Sequence, residues 1–155
     1  MSKNPADTRT VATGVQKMTP SEAFVETLVA NGVTDMFGIM GSAFMDAMDI
    51  FAPAGIRLIP VVHEQGAAHA ADGYARATGK TGVVLCTSGP GVTNTVTGIA
   101  TAYLDSIPMV IITANVGIDY IGKDSFQEVF IAGITQPITK HNYAVRDITK
   151  LADTV

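Results

Sequence analysis

One acid in this sequence stands at a junction where a ligand could be met. Glu64 lies between His63 and Gln65, directly after the apolar run of residues 56–62 and directly before the small-residue stretch Gly66-Ala67-Ala68-His69-Ala70-Ala71. An acid where a buried strand hands over to a helix lies at the carboxyl edge of a sheet, where open α/β folds place their ligands. The plainer reading is that an acid in the first turn of a helix is favoured by the helix dipole alone, and spacing by itself leans towards it. A second candidate is the turn Thr87-Ser88-Gly89-Pro90-Gly91-Val92-Thr93-Asn94, which leads into a helix whose free N–H groups attract anions. Its spacing is neither a P-loop nor a G-x-G-x-x-G fingerprint, and such a turn is more often structural. His63 and His69 are six residues apart, the wrong interval for one helical face, so no metal site is expected from them. Lys140-His141 reads as a solvated loop pair.

These residues need a frame, and the apolar pattern supplies one. Thr19-Pro20-Ser21-Glu22 carries a Thr cap, Pro at the first helical position and Glu three residues after the cap, so a helix is predicted from there to Gly32. A strand is predicted around residues 35–39, ending in the small-residue turn Gly41-Ser42-Ala43, then an amphipathic helix over 42–51. A strand over 56–62 and a helix over 64–78, stopped by Gly79, follow. Residues 82–87 form an apolar run that suits a strand buried on both faces. After the Gly89 turn come a helix to about residue 104, a strand over 109–113, a loop-rich region with a short helix near Phe130, and a further short strand over 142–145. Strands alternating with helices at this rhythm mean an α/β fold with a parallel sheet. Residues 1–17 lack periodicity and read as a disordered extension, leaving 18–155 as one domain. Asp147 caps a last helix that has reached no stop signal by Val155, the pattern of a chain cut within a longer protein.

Composition excludes several classes. The chain has 155 residues, enough for one sizeable core. Charged residues make up 15% against 47% hydrophobic, an under-charged surface that suggests cover by a partner. A net charge of −4 gives no basic footprint for nucleic acid. The apolar runs are far too short to span a membrane, and no apolar leader opens the chain. The single cysteine, Cys86, cannot form an internal disulfide and suits a reducing compartment, so the cytoplasm is expected.

Taken together, the segments Phe37-Gly38-Ile39-Met40-Gly41-Ser42-Ala43, His63-Glu64-Gln65-Gly66-Ala67, Ala71-Asp72-Gly73-Tyr74-Ala75-Arg76, Thr87 to Asn94 and Ser125-Phe126-Gln127-Glu128 closely resemble the N-terminal, pyrimidine-binding domain of thiamine-diphosphate-dependent 2-oxoacid decarboxylases and carboligases. The resemblance implies a three-layer α/β/α domain with a six-stranded parallel sheet. It implies that Glu64 is catalytic, hydrogen-bonding N1′ of the cofactor's aminopyrimidine while the ring's own 4′-nitrogen takes the proton from C2 of the thiazolium. It further places Gly41, Ser42 and Ala43 near cofactor or substrate, Pro90 and Asn94 beside the aminopyrimidine, and Phe126 and Gln127 in a loop that approaches an active site shared with a neighbouring subunit.

In that family a second domain holds the diphosphate and Mg²⁺ through a Gly-Asp-Gly motif, which this chain lacks, and acetolactate synthases carry a further FAD-associated domain. The resemblance therefore implies only the pyrimidine end of the cofactor here. Mg²⁺, and in one branch FAD, would come with the assembled enzyme, either a homo-oligomer or a pairing with a diphosphate-binding chain. From Thr87 onward the chain looks like acetolactate synthase, and its earlier part looks more like sulfoacetaldehyde acetyltransferase. The first turn, Ile39-Met40-Gly41-Ser42-Ala43, departs from the Tyr-Pro-Gly-Gly-Ala usual in acetolactate synthases. The expected function is pyruvate decarboxylation and carboligation of the acetolactate synthase type. One alternative is conversion of sulfoacetaldehyde and phosphate to acetyl phosphate and sulfite; another is an interaction module silent on its own.

Overall fold

The structure, a computed structural model, describes residues 17–155; the extension expected over 1–17 lies, but for Lys17, outside the described residues. Helix α1 (Pro20–Ala30) begins as its sequence requires. The Thr19 hydroxyl accepts the Glu22 N–H at 3.2 Å while the Glu22 carboxylate accepts the Thr19 N–H at 2.7 Å. That reciprocal pair satisfies two of the four donors a helix start leaves open.

Four strands follow in the chain: β1 (Asp35–Gly38), β2 (Arg57–Pro60), β3 (Gly82–Cys86) and β4 (Met109–Thr113). All pair in parallel, in the order β2-β1-β3-β4. The β1–β2 register places Asp35 opposite Arg57, and the two side chains form an ion pair at 2.6 Å across the strand starts. The chain leaves β1 in one direction to form β2 and returns in the other to form β3. The point between β1 and β3 is therefore a topological switch, and a crevice opens outside their carboxyl ends.

Successive strand residues face opposite sides, which sorts the core into two layers. Met36, Val83 and Leu85 pack against Phe24, Val25 and Leu28 of α1 and against Phe51 and Ile56. Phe37 and Val84 pack on the other side against Ala67 and Ala71 of helix α4 (Glu64–Thr78). Met36, Val84 and Leu85 are fully buried, each worth about 1.5–3 kcal/mol of apolar transfer. The continuous apolar run Val83-Val84-Leu85-Cys86 thus marks a strand covered on both faces, as its composition predicts.

Several expectations are corrected. The sheet has four strands among the described residues, not the six implied by the family resemblance, because the chain after β4 forms turns and short helices. Residues 142–145 form no strand: the Asn142 side chain donates to Thr139 Oγ1 at 2.7 Å and accepts from Thr135 Oγ1 at 2.9 Å, which folds the segment back on itself. The helix expected over 42–51 is broken into a 3-10 turn (Ser42–Phe44), α2 (Met45–Met48) and α3 (Phe51–Ala54). The helix leading to residue 104 is likewise split, into α5 (Pro90–Thr93) and α6 (Val96–Leu104). The short helix near Phe130 is present as α7 (Ile131–Thr135). Asp147 caps a 3-10 turn that continues into α8 (Leu151–Thr154), and Leu151 and Val155 pack on the α1 side of the core.

Candidate functional site

Helix α4 starts at the carboxyl edge of the sheet because His63 caps it, its imidazole Nδ1 accepting the Gln65 N–H at 3.2 Å. His63 thus has a structural task, and His69, further along the helix, is exposed. Glu64 is the first residue of α4 and is only 9% exposed, although Val62, two residues earlier, is fully open to solvent. Across the crevice, Asn94 Nδ2 donates to Glu64 Oε2 at 2.9 Å. A hydrogen bond to a charged group contributes about 1.5–3 kcal/mol, enough to fix the carboxyl's orientation.

The other carboxylate oxygen faces space kept free by a missing side chain. A Cβ on Gly91 would lie 3.2 Å from Glu64 Oε1 and 3.5 Å from Thr87 Cγ2. Thr87 also touches the first turn, since a Cβ on Gly41 would lie 2.8 Å from Thr87 Cβ. Gly41, Thr87, Gly91, Glu64 and Asn94 are therefore linked contact by contact at the switch point between β1 and β3. Ser42 and Ala43 open the exposed 3-10 turn beside Gly41, and Pro90 is exposed at the start of α5. Behind the acid, burial pushes the Cys86 thiol up to about 12, with the Glu64 carboxylate adding to the shift. That keeps Cys86 a neutral wall of the site and no nucleophile.

Of Phe126 and Gln127, only Gln127 touches the turn beside the site, and it does so through its backbone. Gly89 has φ +56° and ψ −110°, a backbone region closed to other residues, and a Cβ there would lie 2.1 Å from the Gln127 carbonyl oxygen. The 122–128 loop therefore locks onto the turn that carries Pro90 and Gly91. Its own shape is held by Glu128, whose carboxylate accepts the N–H groups of Gly122, Lys123 (3.3 Å) and Ser125 (3.1 Å). Those donors, Gly122 first, hold the Glu128 carboxyl below its ordinary range. Asp124 and Gln127 both take positive φ to close the loop. Phe126 is 87% exposed, so within this chain the loop does not bring it to Glu64.

The sequence names Thr87 and Gly91 only as members of the turn 87–94, and Cys86 only as a lone thiol, and it gives none of them a place beside Glu64. The signal available for them was their place at the end of the doubly buried strand β3. A surface recess of about 510 Å³ lies at the opposite, amino edge of the sheet beside Asn31, Thr34, Asp35 and Lys80. None of its lining residues is buried, whereas the Glu64 crevice has a buried acid with a fixed partner. Burial and hydrogen bonding, not size, mark the chemical site.

The residues present fit the pyrimidine end of thiamine diphosphate. A planar heteroaromatic nitrogen can approach Glu64 Oε1, and Gly91 leaves that approach open where any side chain would crowd it. Comparison with known proteins gives the family. The family described as "Thiamine pyrophosphate enzyme, N-terminal TPP binding domain" matches residues 18–134. A sulfoacetaldehyde acetyltransferase of Castellaniella defragrans is 61% identical over 147 residues, covering 95% of this chain and 25% of that protein. An acetolactate synthase large subunit of Buchnera aphidicola (subspecies Acyrthosiphon pisum) is 53% identical over 127 residues, covering 81% of this chain and 22% of that protein. An acetolactate synthase of Arthrospira platensis is 50% identical over 141 residues, covering 88% and 24% respectively. The chain thus spans about a quarter of the length of the curated relatives it matches.

Proposed function

Because this chain belongs to the thiamine pyrophosphate enzymes, as their N-terminal TPP-binding domain, we propose that Glu64 is its proton-bearing group and holds the aminopyrimidine end of thiamine diphosphate. The observation that carries this is the buried Glu64 carboxyl with one oxygen tied to Asn94 and the other facing the gap at Gly91. When bound, the cofactor supplies a carbon nucleophile that attacks a carbonyl substrate. The protein's part is positional and protonic. An ionised carboxylate can only accept hydrogen bonds, so toward a ring nitrogen Glu64 acts by carrying a proton on Oε1 and sharing it. Asn94 keeps Oε2 occupied and so directs that proton to the other oxygen. Gly41, Ser42 and Ala43 with Thr87 form the wall on the β1 side, and Pro90 the wall on the α5 side. Phe126 and Gln127, held out by the Glu128 bracket, serve the site of an adjoining subunit.

The diphosphate, Mg²⁺ and, in an acetolactate synthase, FAD belong to another part of the assembled protein, either a second domain or a second polypeptide. Residues 18–155 act as one domain of that assembly, in the cytoplasm. No helix among the described residues is long and apolar enough to cross a membrane.

For the substrate, two readings stand in a definite order. The identity of 61% over 95% of the chain to a sulfoacetaldehyde acetyltransferase favours acetyl transfer from sulfoacetaldehyde, as does the first turn's departure from the acetolactate synthase pattern. Carboligation of pyruvate, the first expectation from sequence, is the second reading, supported by about 50% identity to acetolactate synthases. The test is to assemble the chain with a partner bearing the diphosphate site and supply thiamine diphosphate and Mg²⁺. Phosphate-dependent sulfite release supports the first reading, pyruvate consumption the second, and neither leaves an interaction module. Glu64→Gln in the active assembly abolishes turnover with the fold intact; near-wild-type turnover refutes the assignment of Glu64.

A further inference from the structure

Helix α4 and the α5–α6 segment run side by side in the same direction, and their contacts fall at matched intervals. Glu64, Ala68, Asp72 and Arg76 step by four along one face of α4. Opposite them stand Asn94, Gly98 and Asp105. At the carboxyl edge Asn94 donates to Glu64 at 2.9 Å. One turn further along the helices touch, since a Cβ on Gly98 would lie 2.4 Å from the Ala68 Cβ. At the far end Arg76 Nε donates to Asp72 Oδ2 at 2.9 Å and its Nη2 to Asp105 Oδ2 at 2.6 Å.

Two features set this last cluster apart from an ordinary surface pair. Asp72 is 8% exposed, and its Oδ1 has no hydrogen-bond partner among the described residues, so Arg76 is what balances a buried charge. Asp105 closes the C-terminal end of α6, where the helix dipole disfavours an acid unless a cation faces it. Asp72 therefore holds the planar guanidinium in place, and the guanidinium reaches across to the neighbouring helix.

We propose that the Arg76–Asp105 bridge is a positioning strut: it holds the far end of α4 against α6, and so keeps Glu64 at hydrogen-bonding distance from Asn94. The lever is short enough to matter. The Ala68–Gly98 contact acts as pivot, about 6 Å along the axis from Glu64 and about 12 Å from Arg76 at 1.5 Å per residue. A swing of about 1 Å at Arg76 then moves Glu64 by roughly 0.5 Å. Because the pivot lies between them, an outward swing at Arg76 drives Glu64 inward on Asn94, from 2.9 Å to below the usual lower limit of about 2.7 Å, so the pair has to slide out of its present alignment. The strut rests on the reading of Glu64 as the proton-bearing group, but it can be tested without cofactor.

Asp105→Ala is the cleanest perturbation, because it removes both the charge and the acceptor of the cross-helix link and leaves the Arg76–Asp72 pair within α4. Arg76→Lys is the second, since one ammonium cannot serve two carboxylates in the guanidinium's geometry. The readout is the side-chain amide ¹H–¹⁵N signal of Asn94 in the cofactor-free full chain, assigned by its loss in Asn94→Asp. Both variants move that signal away from its wild-type position, while Lys80→Gln, an exposed change just beyond α4, leaves it in place. In the assembled protein the same two variants weaken thiamine diphosphate binding several-fold. An Asn94 signal unmoved in folded Asp105→Ala and Arg76→Lys overturns the strut, whatever the cofactor does. A wild-type assembly that binds no thiamine diphosphate overturns the cofactor reading, and the amide shift still decides the strut.

Discussion

Gly98→Ala separates local preference from tertiary geometry by the sign of its effect. Gly98 lies near the start of α6, where alanine is favoured over glycine by about 1 kcal/mol in helix propensity. Judged by the helix alone, the substitution raises the melting temperature by roughly 2–4 °C for a chain of this size. The structure predicts the opposite. The new methyl would lie 2.4 Å from the Ala68 Cβ, where carbon atoms rest comfortably at about 3.5–4.0 Å. The helices must part by about 1 Å or more, and overpacking of this kind costs about 1–3 kcal/mol. Set against the propensity gain, the net is a loss of about 0–2 kcal/mol and a melting temperature unchanged or lower by up to about 8 °C. The parting also opens the Glu64–Asn94 hydrogen bond, so thiamine diphosphate affinity in the assembly falls about tenfold or more, the equivalent of one charged hydrogen bond. Thermal melts and cofactor titration measure the two effects separately. Adding Ala68→Gly removes the methyl that the new one strikes, and the pair of changes recovers the affinity. A raised melting temperature with unchanged affinity would show that α4 and α6 are not in the close contact described.

Three further outcomes follow from named contacts. Cys86, its thiol pushed by burial from 9.0 up to about 12, stays unreactive to alkylating reagents at pH 8 in the folded chain and reacts only on unfolding. Because the folded thiol holds its proton more tightly than the unfolded one, this contribution to stability is complete below about pH 9 and is lost as pH rises towards 12; denaturant melts of wild type against Cys86→Ala read it. Glu128→Gln weakens the bracket on the Gly122, Lys123 and Ser125 N–H groups and makes Lys123 a faster trypsin site, with the global melt little changed. Wild type behaves the same way when pH falls through the lowered Glu128 value, because the stability of a depressed carboxyl is present above its ordinary pKa and lost below the shifted one. Asn94→Ala leaves a buried carboxyl without its donor and costs about 1.5–3 kcal/mol, measurable by urea denaturation; Asn94→Asp, which sets two carboxyls together, costs more at neutral pH.

The sequence by itself determined what depends on neighbours along the chain. The Thr19–Glu22 cap, the start of α4 at Glu64, its stop at Gly79 and the two-faced burial of β3 all follow from local chemistry and period, and each is found where the pattern places it. The family motifs likewise pointed to the thiamine diphosphate class, and the family itself is shown. What the sequence left undecided depends on residues far apart. Nothing near Asn94 announces that its amide reaches a carboxyl thirty positions earlier. Nothing near Gly89 announces that the Gln127 carbonyl will occupy the space of its absent side chain. The expected strand at 142–145 failed for the same reason, since Asn142 was captured by Thr135 and Thr139. A strand needs a partner edge as well as a favourable pattern, and only the tertiary structure says whether one is there. The position of the acid was legible because a helix start is a local event; its surroundings were not, because Asn94 and Gly91 are brought to Glu64 only by the packing of α4 against α6 and β3.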